Sequence, residues 1–391
     1  MKYWRGYLVA AIFAAITLGF REIAETHSQL VDMIYPYVTR MIQNFMAGWS
    51  GAVDFCVWQI LLLTMVALGF ASVVLMVIFR WNPVQWFGWI LAAATMVMML
   101  HTGLFGMNEF AGPLREDIRL QLAECSEEEL ETAAAYFCDK ANALSGQVPR
   151  DAEGVKAPDL KALNAQAVDG FENLVYDQYY AVFAGSTAPV KELGMADYFT
   201  QRGQMGHTAA ITGEAAVNMQ APGVIRPFAV CREMCYRMAI TSQRDKHFGA
   251  FMACQANEDA LFQYAGYVMA YRYCLNALPE ATANRVAAKA NANVRSDLEA
   301  WETFVTVDEQ KFDPDALVNK LTKNEEQEEP EQIDFQIAQL LVSWYRQKIV
   351  LPSLVEPEVL FDPYDENQVD MTGLPHAPVT AVETEPTEEA A

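Results

Sequence analysis

Cationic residues are scarce in this chain of 391 residues, where 27 Lys and Arg stand against 50 Asp and Glu and give a formal net charge of -23. A nucleic-acid partner needs cations that neutralise its phosphates, so this charge balance argues against one. The chain also has no glycine loop of the phosphate-binding pattern, no Gly-x-Ser-x-Gly turn and no internal repeat. The sequence therefore gives no indication of nucleic-acid binding, or of nucleotide or serine-hydrolase chemistry.

Apolar residues are concentrated before residue 106, in three long runs with few charges. The runs cover about residues 4–20, 55–79 and 84–104. A helix needs roughly 20 residues to cross a hydrocarbon core of about 30 Å, so the second and third runs are long enough and the first crosses only with its flanks. No small-x-small cleavage site cleanly follows the first run, so we interpret it as an uncleaved anchor rather than a signal peptide. Residues 1–105 are predicted to form a membrane domain with three transmembrane helices in the lipid bilayer.

The positions of the cations predict how this domain is oriented. Lys2 and Arg5 precede the first run, and Arg80 lies in the short loop between the second and third. Cations next to spans remain in the cytoplasm, so we expect a cytoplasmic N-terminus and an extracytoplasmic location for residues 106–391. The segment 27–50, which contains a proline and a broad apolar face, is either a helix along the outer interface or an ordinary loop.

The soluble part is predicted to be mainly α-helical, because its apolar residues recur at three and four from Glu109 onward. Ser126 and Glu129 form a capping-box pattern at the start of one helix. Further helices are predicted over residues 160–183, 228–278, 281 onward and 333–350. Only residues 203–227, rich in Gly and small side chains, are predicted to form a loop or a short pair of strands. We predict an extracytoplasmic helical domain over 106–355 and, from its acidic composition, a disordered tail over 356–391.

Six of the seven cysteines lie in the part that we place outside the cytoplasm, where disulfide bonds are chemically permitted. Six cysteines allow fifteen connectivities, and the sequence does not choose between them. We predict one bridge, between Cys125 and Cys138. The cysteines at 231, 235, 254 and 274 are more typical of buried small apolar residues in helices.

Four stretches of the soluble part carry a resemblance to a known family. They are ITGEAAVN (211–218), PFAVCREMCYRMAI (227–240), HFGAFMACQ (247–255) and YAGYVMAYRYCLNAL (264–278). In these stretches the chain resembles a bacterial membrane family called domain of unknown function 3810, and the likeness covers nearly all of residues 1–350. The resemblance implies three N-terminal spans and a zincin-like peptidase domain with a His-Glu-x-x-His signature. It also implies a multi-pass protein of the bacterial cytoplasmic membrane.

The residues at the signature positions differ from the family pattern that the resemblance implies. Arg232 and Tyr236 stand at the two histidine positions, Glu233 remains between them, and Asp245 stands at the position of the third ligand. Zinc in such a site is held by two imidazoles at i and i+4, while the glutamate polarises the metal-bound water. Arginine has no lone pair to donate, so we expect that zinc is lost, that no cofactor is bound and that Glu233 is a vestigial general base.

Three arrangements of these residues remain open from the sequence. In the first, Arg232 replaces the metal charge by bridging to Asp245 or Glu214, while Tyr236 fills the remaining volume and donates its hydroxyl. In the second, Arg232 points to solvent and Glu233 pairs with the arginine at i+4. In the third, a shifted metal set forms from Cys231, Cys235, His247 and His207.

The function expected from these observations is that of a catalytically inactive, membrane-anchored relative of a zinc metallopeptidase. Such a protein would act as a binding or scaffolding module at the cell surface, with a peptide or another membrane protein as its partner. The alternative is an active membrane-bound metallopeptidase that uses the shifted ligand set. A transporter component is disfavoured, because three spans with few polar residues provide no pathway without oligomerisation.

Overall fold

A computed structural model describes residues 2–122, 124–185, 188–306 and 330–354. The described chain is mainly helical, and its N-terminal part contains three helices long and apolar enough to cross a membrane. The prediction of a mainly α protein with three N-terminal spans is therefore confirmed. The tail predicted over 356–391 lies outside the described residues.

The helices and strands of the described residues follow in chain order. The helices are α1 (Arg5–Thr26), α2 (Ser28–Ser50), α3 (Val57–Ile78), α4 (Pro83–Leu104), α5 (Leu114–Asp117), α6 (Glu127–Leu144), α7 (Leu160–Leu174), α8 (Tyr180–Phe183), α9 (Ala196–Thr200), α10 (Arg226–Arg237), α11 (Gln243–Ala256), α12 (Ala260–Asn276), α13 (Glu280–Ala287), α14 (Ala292–Val305), α15 (Pro330–Tyr345) and α16 (Leu351–Leu354). The strands are β1 (Arg150–Asp151), β2 (Gly154–Val155), β3 (Lys191–Glu192), β4 (Gly206–Ala209) and β5 (Glu214–Val217). Single turns of 3-10 helix cover Lys2–Trp4 and Gly106–Phe110, and π-helical turns cover Val175–Tyr179 and Arg346–Val350.

The candidate spans are α1, α3 and α4, and each has 22 residues. Helix α1 continues to Thr26, six residues beyond the predicted end of the first run. It packs closely against α4, because a Cβ on Gly6 would lie only 2.5 Å from the backbone carbon of Gly88. Small residues allow such close approach of helices in lipid. The hydroxyl of Tyr7 also donates to the Val84 carbonyl at 2.9 Å, so the start of α1 lies beside the start of α4.

Helix α2 has its polar residues towards the protein and its apolar residues outwards. Thr39, Arg40 and Gln43 are buried. The Gln43 amide donates to the Ala210 carbonyl at 2.8 Å, and the Arg40 guanidinium donates to the Val182 carbonyl at 2.8 Å. The opposite face exposes eight large apolar side chains: Leu30, Met33, Ile34, Tyr37, Val38, Met41, Phe45 and Trp49. This distribution is the reverse of that in a helix on the surface of a soluble protein.

The part of the chain that follows the candidate spans is built around α10, α11 and α12, whose residues are largely buried. Aromatic rings join this layer to α6 and α15: Phe251 lies 5.7 Å from Phe137 and 4.9 Å from Trp344 between ring centroids. Such pairs add to the burial of apolar area.

A small sheet with the strand order β3-β5-β4 packs against α10. Strand β5 is parallel to β3 and antiparallel to β4, and all four of its residues are buried. Strands β4 and β5 form the short pair that was one of the two structures predicted for residues 203–227. The hairpin of β1 and β2 lies between α6 and α7, in a segment for which no strand was predicted.

Candidate functional site

A cleft of about 520 Å³ opens between the edge strand β4, helices α10 and α11, and the ends of α14 and α15. Its wall contains Arg232, Glu233 and Tyr236, so the signature helix faces the cleft. Helix α10 begins with Pro227 in its first turn, where a missing N–H costs nothing, and ends shortly before Ala239, which has a left-handed φ of 72°. The chain then re-enters a helix at the N-cap Ser242, which brings α11 back against α10.

Glu233 is the buried carboxylate of the cleft, with 2% of its surface exposed. One of its oxygens accepts from the Arg232 guanidinium and forms a salt bridge with it. The other oxygen accepts from the Thr208 hydroxyl of β4 at 2.7 Å. A buried carboxylate is costly without partners, and here both of its oxygens have one.

The guanidinium of Arg232 lies between two groups of the cleft wall. Besides its contact with Glu233, its Nε donates to Nε2 of His247 at 2.9 Å. The His247 ring stacks on Phe228, with 6.1 Å between ring centroids. Burial and then the adjacent Arg232 charge hold the pKa of His247 well below its usual value, so this imidazole is neutral and accepts the hydrogen bond. The cation of the site is therefore a side chain fixed by a carboxylate and an imidazole.

Lys246 and Tyr236 form the neighbouring part of the wall. Lys246 has 7% of its surface exposed, and its Nζ lies 4.9 Å from the centroid of the Tyr236 ring. The Tyr236 ring also packs against Phe105 at 4.9 Å. Burial, followed by the charge of Arg232, lowers the pKa of Lys246 to about 7. Burial raises the pKa of Tyr236 to about 12, so this phenol keeps its proton.

Arg272 forms the charged part of the opposite rim. Its guanidinium contacts Glu302 at 2.9 Å and Asp334 at 3.2 Å, which joins α12 to α14 and α15. Two carboxylates thus contact this one cation, so its charge is more than balanced. Beside it the cleft has an apolar lining: Tyr273, Trp301, Val305, Ile333 and Ile337.

Asp245 and Glu214 do not face Arg232, which corrects the predicted bridges to them. Asp245 accepts from Nε of Arg244 at 2.8 Å and from the Leu114 N–H at 3.2 Å, and it lines a different cavity. Residues on a helix are rotated by about 100° from one to the next, so Asp245 points towards α5 while its neighbours at 246 and 247 reach the cleft.

Glu214 joins the sheet to α3, the second candidate span. Its two oxygens accept from the backbone N–H groups of Val57 and Trp58, both at 2.8 Å, and one oxygen contacts Nζ of Lys191 at 2.6 Å. The first N–H groups of a helix have no partner within the helix, and an anion there is stabilising. Glu214 therefore caps α3 and has no part in the cleft.

The two other open arrangements also differ from the structure. Arg237, the residue at i+4 from Glu233, is fully buried and donates to the Ala188 carbonyl. Cys231 and Cys235 are fully buried in the core rather than in the cleft wall, and the His207 ring packs against Trp58 with 4.7 Å between ring centroids. The residues of the shifted metal set therefore do not converge.

All seven cysteines are free thiols, so the predicted bridge between Cys125 and Cys138 is not formed. Cys125 precedes Ser126, the N-cap of α6, whereas Cys138 lies within that helix. At about 1.5 Å per residue, the two are separated by well over the reach of a disulfide. Because α6 is continuous from Glu127 to Leu144, the chain does not fold back to bring the two thiols together.

Sequence reasoning missed three residues of the cleft. Thr208 donates to Glu233, and Lys246 lies over Tyr236. His247 was considered only as a thiolate-site ligand, whereas it accepts from Arg232. One signal in the sequence pointed to Lys246 and His247. They follow Asp245, the residue at the position of the third ligand, by one and two residues and therefore lie on the same helix.

Comparison with known proteins gives one match. The family model described as "Protein of unknown function (DUF3810)" matches residues 31–323, which is most of the chain. No curated protein and no solved structure matches the chain.

Proposed function

The chain belongs to the DUF3810 family, and we propose that its cleft binds an extended peptide segment without hydrolysing it. The observation that carries the proposal is the guanidinium of Arg232, which lies between Glu233 and His247 in the wall of the cleft. The proposal makes the protein a catalytically inactive relative of membrane zinc peptidases. It acts as a binding or scaffolding module.

The donor set of the cleft does not fit a zinc ion. Zinc needs lone pairs from imidazole, thiolate or carboxylate, and Arg232 offers none. The carboxylate of Glu233 is occupied by Arg232 and Thr208, and Asp245 is turned away. In the described ranges, no three His, Cys, Asp or Glu side chains are grouped so that they could hold a metal ion. These observations support a site in which a fixed organic cation has taken the place of the metal.

The edge of β4 supports the binding of a peptide. In the described sheet, β4 pairs with β5 on one side, and its residues Gly206, His207 and Thr208 line the cleft on the other. An edge strand presents main-chain N–H and C=O groups that an extended peptide can pair with. The apolar lining around Trp301 offers surface for side chains of such a peptide.

A combined binding and hydrolysis assay on the reconstituted full chain tests the proposal. Fluorescent decapeptides of random sequence are incubated with the wild type and with Glu233→Gln, and the mixture is examined by anisotropy and by mass spectrometry. We expect binding by the wild type and no cleavage by either protein. Cleavage that is lost in Glu233→Gln, together with stoichiometric zinc in the purified wild type, would establish the alternative of an active metallopeptidase.

We also propose that the cleft lies on the extracytoplasmic side of a bacterial membrane. Arg5 and Arg80 support this orientation, since α1 and α4 pack with their starts side by side and so place both cations at the end of the spans far from the domain. The outward apolar face of α2 supports a location of this helix in the interface. Accessibility of Lys156 to an impermeant amine reagent in right-side-out and inverted vesicles, compared with a Lys156→Met control, tests the orientation.

A further inference from the structure

We propose that Lys246 binds a carboxylate of the ligand, which makes the ligand an acidic or free-ended peptide. This inference rests on the proposed function and adds the chemical class that the cleft selects. Lys246 is more than nine-tenths buried, and its side chain lines the cleft.

Lys246 has no carboxylate partner among the described residues. The ion pairs of the cleft join Arg232 to Glu233 and Arg272 to Glu302 and Asp334. The contact of Lys246 is with the face of the Tyr236 ring, at 4.9 Å. A ring face is attracted to a cation, but it does not replace the hydrogen bonds that an ammonium loses on burial.

The charges that act on Lys246 leave its ammonium without a balancing anion. Arg232 and Glu233 cancel each other, and both oxygens of Glu233 already accept hydrogen bonds. His247 is neutral because burial lowers its pKa. The lowered pKa of Lys246 follows from the same imbalance, since burial and the charge of Arg232 both disfavour its protonated form. An anion placed beside Lys246 would supply the missing partner.

A carboxylate fits this position better than a phosphate. One ammonium neutralises one charge, whereas a phosphate carries close to two and is commonly held by several donors. A peptide lying along β4 can bring a carboxylate in two ways, through its C-terminus or through an Asp or Glu side chain. The two sources share the same chemistry and are separated by experiment.

Three pools of fluorescent decapeptides distinguish the sources on the reconstituted full chain. The first has free C-termini and no Asp or Glu, the second has amidated C-termini and no Asp or Glu, and the third has amidated C-termini with Asp and Glu. We expect the first or the third pool to bind at least tenfold more tightly than the second. The pool that binds identifies the source of the carboxylate.

Two substitutions connect the preference to Lys246. Lys246→Met is expected to remove the difference between the pools, and Lys246→Arg is expected to keep it because the charge is retained. Lys156→Met, which changes an exposed lysine outside the cleft, serves as the matched control. Equal binding of all three pools by the wild type, unchanged in Lys246→Met, would overturn the inference and leave the proposed function standing. Absence of binding by every pool would reject the proposed function, and the inference with it.

Discussion

The ion pair of Arg232 and Glu233 makes a quantitative prediction about stability. Replacing Arg232 by methionine keeps a side chain of similar length but leaves the Glu233 carboxylate with Thr208 as its remaining hydrogen-bond donor among the described residues. Removing one partner of a buried ion pair typically costs about 3–5 kcal/mol. The retained hydroxyl and the opening of the cleft to water place this case near the lower end. We expect Arg232→Met to lower the free energy of unfolding by about 3 kcal/mol.

The double substitution isolates the pair from the loss of packing. Glu233→Gln removes the charge and weakens two hydrogen bonds, which we expect to cost about 1–2 kcal/mol. Once the carboxylate is gone, Arg232→Met has little further effect, so the double variant should resemble Glu233→Gln. The expected coupling energy is therefore about 2–3 kcal/mol.

Urea unfolding of the detergent-solubilised full chain, followed by tryptophan fluorescence, measures the free energy of unfolding of the wild type, the two single variants and the double variant. The salt bridge of Arg285 and Glu131 gives a matched control, because its partners are 3.0 Å apart but largely accessible to water. Its coupling should be below about 1 kcal/mol. If the Arg232 cycle gives no more than the control cycle, the guanidinium does not act as the structural cation of the site, and the reasoning fails.

Three further predictions concern other parts of the molecule. Glu214→Gln should destabilise the junction of α3 with the sheet by about 1–2 kcal/mol, whereas the neighbouring exposed Glu192→Gln should not, as measured by thermal unfolding. Between pH 7 and 10 the unfolded state carries a proton on Lys246 that the folded state lacks, so the free energy of unfolding should rise with pH. In urea titrations, this rise should be smaller for Lys246→Met than for the wild type. Gly6→Leu should lower the melting temperature in detergent more than Gly19→Leu does. A Cβ on Gly6 meets the backbone of α4, whereas one on Gly19 meets nothing within 4 Å. Equal melting temperatures for the two variants would contradict the packing of α1 against α4.

The fold and the position of the cleft could be predicted from local patterns. Long apolar runs predicted the spans, and the resemblance of the stretch around Glu233 to a family signature indicated which helix carries the candidate site. Each of these patterns lies within a short stretch of sequence. The structure has helices at the same places, because helical periodicity and burial agree there.

The partners within the site were not predictable in the same way. Asp245 lies three residues after the N-cap Ser242, but this spacing does not tell which way its carboxylate points. Its direction is set by α5, which approaches from more than a hundred residues earlier in the chain and donates the Leu114 N–H. Glu214 likewise finds its partners at the start of α3, at a separation of 157 residues. Contacts of this range depend on tertiary packing, which periodicity does not encode.

The cap that Glu214 makes on α3 connects the cleft to a candidate membrane span. Strand β5 carries Glu214 and is hydrogen-bonded to β4, the strand that lines the cleft, so a candidate membrane-spanning helix and the edge of the cleft are joined by one continuous set of hydrogen bonds. A ligand that is itself anchored in the same bilayer therefore meets the cleft at a much higher effective concentration than a freely diffusing one. Under the proposed function, the distance that a peptide can reach from the lipid surface would matter for binding as much as its sequence does.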